Sequence, residues 1–97
     1  MDFIIHCLDH ADALPRRLGS YDAHRAYLAA AAVQCVMCGP LMSDDGERMV
    51  GSLFLVRAQD KQQVIDFNQG DPFHQAGVWK QVHIHPFLMR VDNRDPA

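Results

Sequence analysis

Apolar and polar positions alternate with a period of two from Asp2 to Asp9. Phe3, Ile5 and Cys7 fall on one face; Ile4, His6 and Leu8 fall on the other. Both faces are largely apolar, which predicts a strand covered on both sides. The period then lengthens. From about Ala11 to Ala32, Leu14, Leu18 and Tyr21 recur at helical spacing, followed by His24 and Leu28, and Ala29–Ala32 is a strongly helix-forming run. Gly19-Ser20 interrupts this region, with Ser20 placed to cap its second half. Val33–Met42 returns to strand character. Gly39-Pro40 near its end suits an edge strand, because proline cannot donate to a ladder. Ser43-Asp44-Asp45-Gly46 signals a hairpin, and Met49–Arg57 is then a third strand antiparallel to the second. On it Val50, Ser52, Phe54 and Val56 share a face. Asp60 with Gln63 makes a capping-box pattern for a helix through about Gln69, with Val64, Ile65 and Phe67 as its apolar side. Val78–Val91 reads as the last strand, setting Val78, Val82, Ile84 and Leu88 against Trp79, His83, His85 and Phe87. Asn93–Ala97 is a polar tail.

The resulting order is β-α-β-β-α-β, the split βαβ pattern of an α+β, ferredoxin-like fold. One domain accounts for residues 1–97. Two helices cover one face of such a sheet. The apolar character of the second face therefore predicts a homodimer with two sheets packed face to face.

Composition narrows the function classes. The chain is 48% apolar and 22% charged, with net charge -3 and no basic cluster. That is an ordinary globular balance, and it disfavours nucleic-acid binding through phosphate neutralisation. No apolar run approaches the roughly 18 residues of a membrane span. The N-terminus lacks the basic start of a signal peptide. Three cysteines without an export signal read as reduced thiols in a cytoplasmic protein.

Between the second helix and the last strand lies Gly70-Asp71-Pro72-Phe73-His74-Gln75-Ala76-Gly77, which holds a carboxylate, an imidazole and an aromatic ring between two glycines. It reads as a helix end at Gly70 and a restart, with Asp71 as N-cap and Pro72 as the first residue of a short turn. His74 falls on an exposed position of that turn. Ser52, mid-strand, is either a hydrogen-bond donor to a substrate oxygen or a small residue where backbone approaches closely, as the adjacent Gly51 suggests. Arg17 is either an anion partner or a solvated helix residue. His6, on a central strand, either lines a pocket or is a hydrogen-bonded core histidine. His83-Ile84-His85 places two imidazoles on one strand face, but no spaced third ligand accompanies them, so no metal site is assigned. Cys35-Val36-Met37-Cys38 has the spacing of a redox motif. On a regular strand, however, positions i and i+3 point to opposite faces, and the two read as small core hydrophobes.

Several pieces together carry a resemblance. They are Ile5-His6-Cys7; Arg17 followed by Ala23-His24 and Tyr27-Leu28; Gly39-Pro40-Leu41 leading into Asp45-Gly46; Gly51-Ser52-Leu53; and Asp71-Pro72-Phe73 followed by Ala76-Gly77. In this order and spacing they resemble the YCII-related (YciI-like) family over nearly the whole chain. The resemblance implies a dimeric α+β barrel of ferredoxin-like subunits. It also implies a His-Asp pair in a pocket, which the motifs place on His24 and Asp71. One relative is a dehydrochlorinase acting on a chlorinated hydroxyhydroquinone. The sequence departs from the family where Arg-Pro-Ala-His is common and Tyr21-Asp22-Ala23-His24 stands here. On this reading the protein is a small cytoplasmic enzyme. His24, oriented by Asp71, would act as general acid-base on a small hydroxylated substrate in a lyase step that needs no cofactor. The alternative is a non-catalytic dimer that binds a metabolite, or an accessory module.

Overall fold

The computed structural model describes residues 1–95, so the last two residues of the polar tail lie outside it. The elements run β1 (Asp2–Asp9), α1 (Leu14–Gly19), α2 (Tyr21–Ala29), β2 (Gln34–Met42), β3 (Met49–Arg57), α3 (Lys61–Gly70), α4 (Pro72–Gln75) and β4 (Trp79–Phe87). The four strands form one sheet in the order β2-β3-β1-β4, and every neighbouring pair is antiparallel. This is the ferredoxin-like α+β arrangement. Proline-bearing β2 lies at an edge, and β1 is central.

Register explains the core. Ile5 stands opposite both Phe54 and Ile84, and Phe3 opposite Val56. These positions share the face on which Val64 and Phe67 of α3, Phe73 of α4, Val78 and Trp79 complete the buried cluster. Each large side chain removed from water there contributes about 1.5–3 kcal/mol. The other face carries Ile4, His6, Leu8, Leu53 and Leu41, half-buried in the single chain.

Four local expectations are corrected. The first helical region is interrupted at Gly19-Ser20 as expected, but its alanine run stops being helical at Ala29 because the chain must turn there to reach the edge strand. Ser20 joins the two without a side-chain cap; its backbone N–H bonds back to Arg16 and Leu18 instead. The buried side of these helices is Ala13, Arg17 and His24, whereas Leu14, Leu18 and Tyr21 are exposed. The last strand ends at Phe87, not Val91, and a register shift between Leu8 and Asp9 puts Trp79 opposite Asp9, on the helix-covered face. Trp79 therefore parts from His83 and His85, which stand opposite His6 and Ile4 on the open face.

Other local signals hold. Asp60 accepts from the Gln63 N–H at 2.8 Å, the capping box of α3. Gly46 takes a positive φ of 74° in the β2–β3 hairpin. Gly70 is required for a different reason from helix termination: a Cβ there would strike the hydroxyl of Tyr27, which donates to the Phe67 carbonyl at 2.8 Å. Among the described residues no helix is long and apolar enough to cross a membrane.

Gly51 is the glycine at which the neighbouring backbone leaves least room for a side chain. A Cβ there would strike the carbonyl oxygen of Cys7 on the neighbouring strand and crowd Leu41. Both obstacles sit in paired strands, so relief requires moving β1 away from β3. We expect Gly51→Ala to cost about 1–3 kcal/mol, in the range of overpacked core sites. In a chain of this size that lowers the melting temperature by roughly 4–8 °C per kcal/mol. A thermal melt followed by circular dichroism checks this; an unchanged midpoint contradicts the stated packing.

Candidate functional site

The site is assembled from the N-terminal ends of two helical segments and the centre of the sheet. Asp71 caps α4: its Oδ1 accepts from the Phe73 N–H at 2.9 Å. The same carboxylate faces α2, where His24 Nδ1 lies 2.8 Å from Oδ1 and 3.0 Å from Oδ2. Asp71 has 0% exposure and His24 8%. With both carboxylate oxygens directed at Nδ1, the neutral ring carries its proton on that nitrogen. Nε2 is then left unprotonated on the side away from Asp71. The imidazole is held flat against Phe73, with ring centroids 3.9 Å apart and 9° between planes, and edge-on to Phe54. Carboxylate and two aromatic rings together leave the imidazole little freedom to rotate.

Arg17 is the second buried charge. It is 4% exposed, so the solvated reading of this helix residue is corrected. Its Nε and Nη2 bond the two oxygens of Asp9 at 2.9 Å each, a bidentate pair. Nη2 also donates to the Gly51 carbonyl at 2.9 Å and to Ser52 Oγ at 2.8 Å. The guanidinium carbon stands 4.8 Å from the centre of the Phe73 ring. A buried cation needs this density of partners to offset its desolvation.

Ser52 is buried on β3, and its Oγ accepts a second bond from Trp79 Nε1 at 3.2 Å. With both oxygen lone pairs engaged by N–H donors, its hydroxyl proton is available to donate. Trp79 reaches Ser52 only through the register shift in β4 described above.

His24, Arg17 and Ser52 line one cavity of about 480 Å³ between α1, α2 and the sheet. Leu18, Tyr21 and Leu28 supply apolar wall, Arg25 adds a second cation, and Cys38 and Pro40 of β2 close the far side. This explains why the apolar stripe of α1 and α2 is not in the core: Leu18 and Tyr21 face the cavity. A pocket of this size, mostly apolar with a few converging polar groups, suits a small organic molecule.

The sequence-derived candidates thus divide. His24, Arg17 and Ser52 converge on the cavity, with Asp71 directly behind His24. His6 does not join them, because strand alternation puts it on the open face, where its ring centroid is 6.4 Å from that of His83. His74 is exposed. Among the described residues no group of three or more His, Cys, Asp or Glu side chains is placed to hold a metal ion. Three contributors were not assigned to the site from the sequence: Asp9, Phe73 and Cys38. Phe73 had a visible signal, an aromatic residue directly after a cap-proline pair, and Cys38 lay in a redox-spaced pair; Asp9 had none.

The buried carboxylate also acts on its neighbours. Burial, then the charge of Asp71, pushes the Cys7 thiol up to about 12. The Tyr27 phenol is raised for the same two reasons.

The comparisons with known proteins agree with this architecture. The chain is similar to 5-chloro-2-hydroxyhydroquinone dehydrochlorinase (TftG) from Burkholderia phenoliruptrix AC1100, solved as a complex with 2,5-dihydroxybenzoquinone. The two share 29% identity with a TM-score of 0.81, over 91% of this chain and 94% of that one. It is similar in fold to Rv0793 from Mycobacterium tuberculosis, at 15% identity and a TM-score of 0.52 over 94% and 97% of the two chains. A search of curated proteins finds no match. The sequence model of the YCII-related domain matches residues 1–88, and with that span the chain belongs to the YCII-related domain family.

Proposed function

We propose that the protein is an enzyme of lyase type that uses His24 as a general acid-base, oriented by Asp71, on a small hydroxylated aromatic molecule. The observation that carries the reading is the buried His24–Asp71 contact at the wall of an organic-sized cavity. Asp71 fixes the tautomer; Nε2 then accepts and returns protons at neutral pH, where an imidazole exchanges them readily. The Ser52 hydroxyl and the Arg17 guanidinium are positioned to bind substrate oxygens.

The likeness to a dehydrochlorinase supplies the most concrete form of the reaction. On a halogenated trihydroxybenzene, Nε2 of His24 carries a proton from a ring hydroxyl to the carbon bearing the halogen. Loss of a second hydroxyl proton then drives the ring electrons toward that carbon, and the carbon–halogen bond breaks. One hydrogen halide leaves and the ring becomes a hydroxyquinone, with no net change in electrons and no co-reactant. The departure at Tyr21, where the family commonly has arginine, is offset in charge by Arg25, whose guanidinium carbon lies 5.7 Å from the Tyr21 ring centre on the same cavity.

The open, half-apolar sheet face supports a further part of this reading, a homodimer with sheets face to face. Sedimentation at micromolar concentration should give a single species of twice the chain mass; a monomer overturns it.

The catalytic assignment is checked by halide release from chlorinated hydroxyhydroquinones. We expect His24→Gln to lower kcat by about 10²–10⁴-fold, the usual worth of a general acid-base. Asp71→Asn keeps an oxygen for the Phe73 cap, so it separates the helix cap from the dyad. We expect it to retain the fold by circular dichroism while losing at least about tenfold in kcat through the wrong tautomer. Wild-type turnover in either variant defeats the assignment. Tight ligand binding with no turnover in the wild type would favour a metabolite-binding module instead.

A further inference from the structure

Cys35 and Cys38 do not point to opposite faces. The pairing of β2 with β3 shifts register between Cys35 and Met37, with Val36 as the extra residue. Cys35 stands opposite Val56 and Cys38 opposite Phe54, and both of those partners belong to the helix-covered face. A β-bulge has this effect: it restores the parity that an i, i+3 spacing would break. The two residues are therefore neighbours on one face of β2, opposite positions two apart on β3. Their surroundings differ. Cys35 is half-buried against the core, whereas Cys38 is exposed and lines the cavity beside His24.

We propose that Cys35 and Cys38 form a hydroperoxide-reactive dithiol site on the cavity wall, with Cys38 attacking and Cys35 resolving. An accessible thiol beside a less accessible partner is the arrangement of a reversible thiol sensor. In the first step the Cys38 thiolate attacks the terminal oxygen of a hydroperoxide. The S–O bond forms as the O–O bond breaks, and the alkoxide or hydroxide leaving group takes up a proton. Cys38 is then a sulfenic acid, oxidised by two electrons at the expense of the peroxide. In the second step the Cys35 sulfur attacks the Cys38 sulfur. The S–S bond forms, the S–O bond breaks, and the Cys35 proton leaves with the oxygen as water. The cavity loses one thiol from its wall, next to His24.

The electrostatics favour this order of attack. The neighbouring Cys35 thiol, followed by the nearby His24 ring, brings the Cys38 thiol down to about 6 against partial desolvation and the Asp71 carboxylate. Cys35 is raised by its interaction with Cys38 and by burial. Arg17 and Arg25 line the same cavity and add positive charge. Cys7, the remaining cysteine, is fully buried and held protonated, and serves as an internal control.

The test treats the reduced, full-length protein with one equivalent of hydrogen peroxide, followed by iodoacetamide and trypsin. Residues 26–48 form one tryptic peptide holding both cysteines, because no lysine or arginine lies between Arg25 and Arg48. We expect that peptide to lose 2 Da and escape alkylation, and dithiothreitol to restore both. Cys35→Ala should stop at a sulfenic acid on Cys38, trapped by dimedone, and Cys38→Ser should form neither product. At pH 7, Cys35→Ala should also alkylate at Cys38 about tenfold more slowly, since the neighbouring thiol that favours the thiolate is gone. The proposal is overturned if Cys35 remains alkylatable while Cys38 is oxidised, if the bond joins two chains, or if Cys7 reacts as fast as Cys38. No aromatic substrate enters the experiment, so its outcome is independent of the His24–Asp71 assignment.

Discussion

A carboxylate with no exposure to water is costly, and the Asp71 side chain is the constraint around which this molecule is arranged. Its oxygens are satisfied from two directions, by the Phe73 N–H within its own turn and by the His24 ring from a helix 47 positions away in sequence. The cap alone would hold a carboxylate at the surface. Burying it obliges α2 to present a hydrogen-bond donor at that spot, and the stacked Phe73 obliges that donor to be flat. Removing the partner would leave a desolvated carboxylate, which is why the histidine is tied to the fold as well as to the cavity.

Phe73 links this pair to the other buried charge. The ring that His24 stacks upon also lies beneath the Arg17 guanidinium. Arg17 in turn holds the end of β1 through Asp9 and the middle of β3 through Gly51 and Ser52. A four-residue turn thereby couples both helices of the first segment to the two central strands. The cavity is the space left where these polar anchors hold α1 and α2 away from the edge strand. Its polar groups are fixed by contacts behind them, which is the condition for a preorganised site.

Much of the fold was legible because it depends on local chemistry. Alternation located the four strands, Asp60 with Gln63 located α3, and Asp71-Pro72 located the short restart. The site was less legible. His24 and Asp71 were picked out by likeness to a family, since nothing in their spacing announces a contact. Arg17 was ambiguous because its partner, Asp9, sits on a strand and not on the same helix. His6 was misplaced because parity on β1 depends on which face the helices cover, and both faces of that strand are apolar.

The sequence by itself determined the order and kind of the elements, the caps and the turns, because these follow from interactions within a few residues. Tertiary structure decided what the side chains do. Two of the sheet's register shifts, one in β2 and one in β4, reversed the parity of the residues beyond them. One brought Trp79 to Ser52, and the other put Cys35 and Cys38 on one face. A one-residue shift is nearly invisible in a pattern of period two, yet it moves a side chain from one face of the sheet to the other. Hydrophobic periodicity records which residues want burial; only the pairing of strands determines which of them meet.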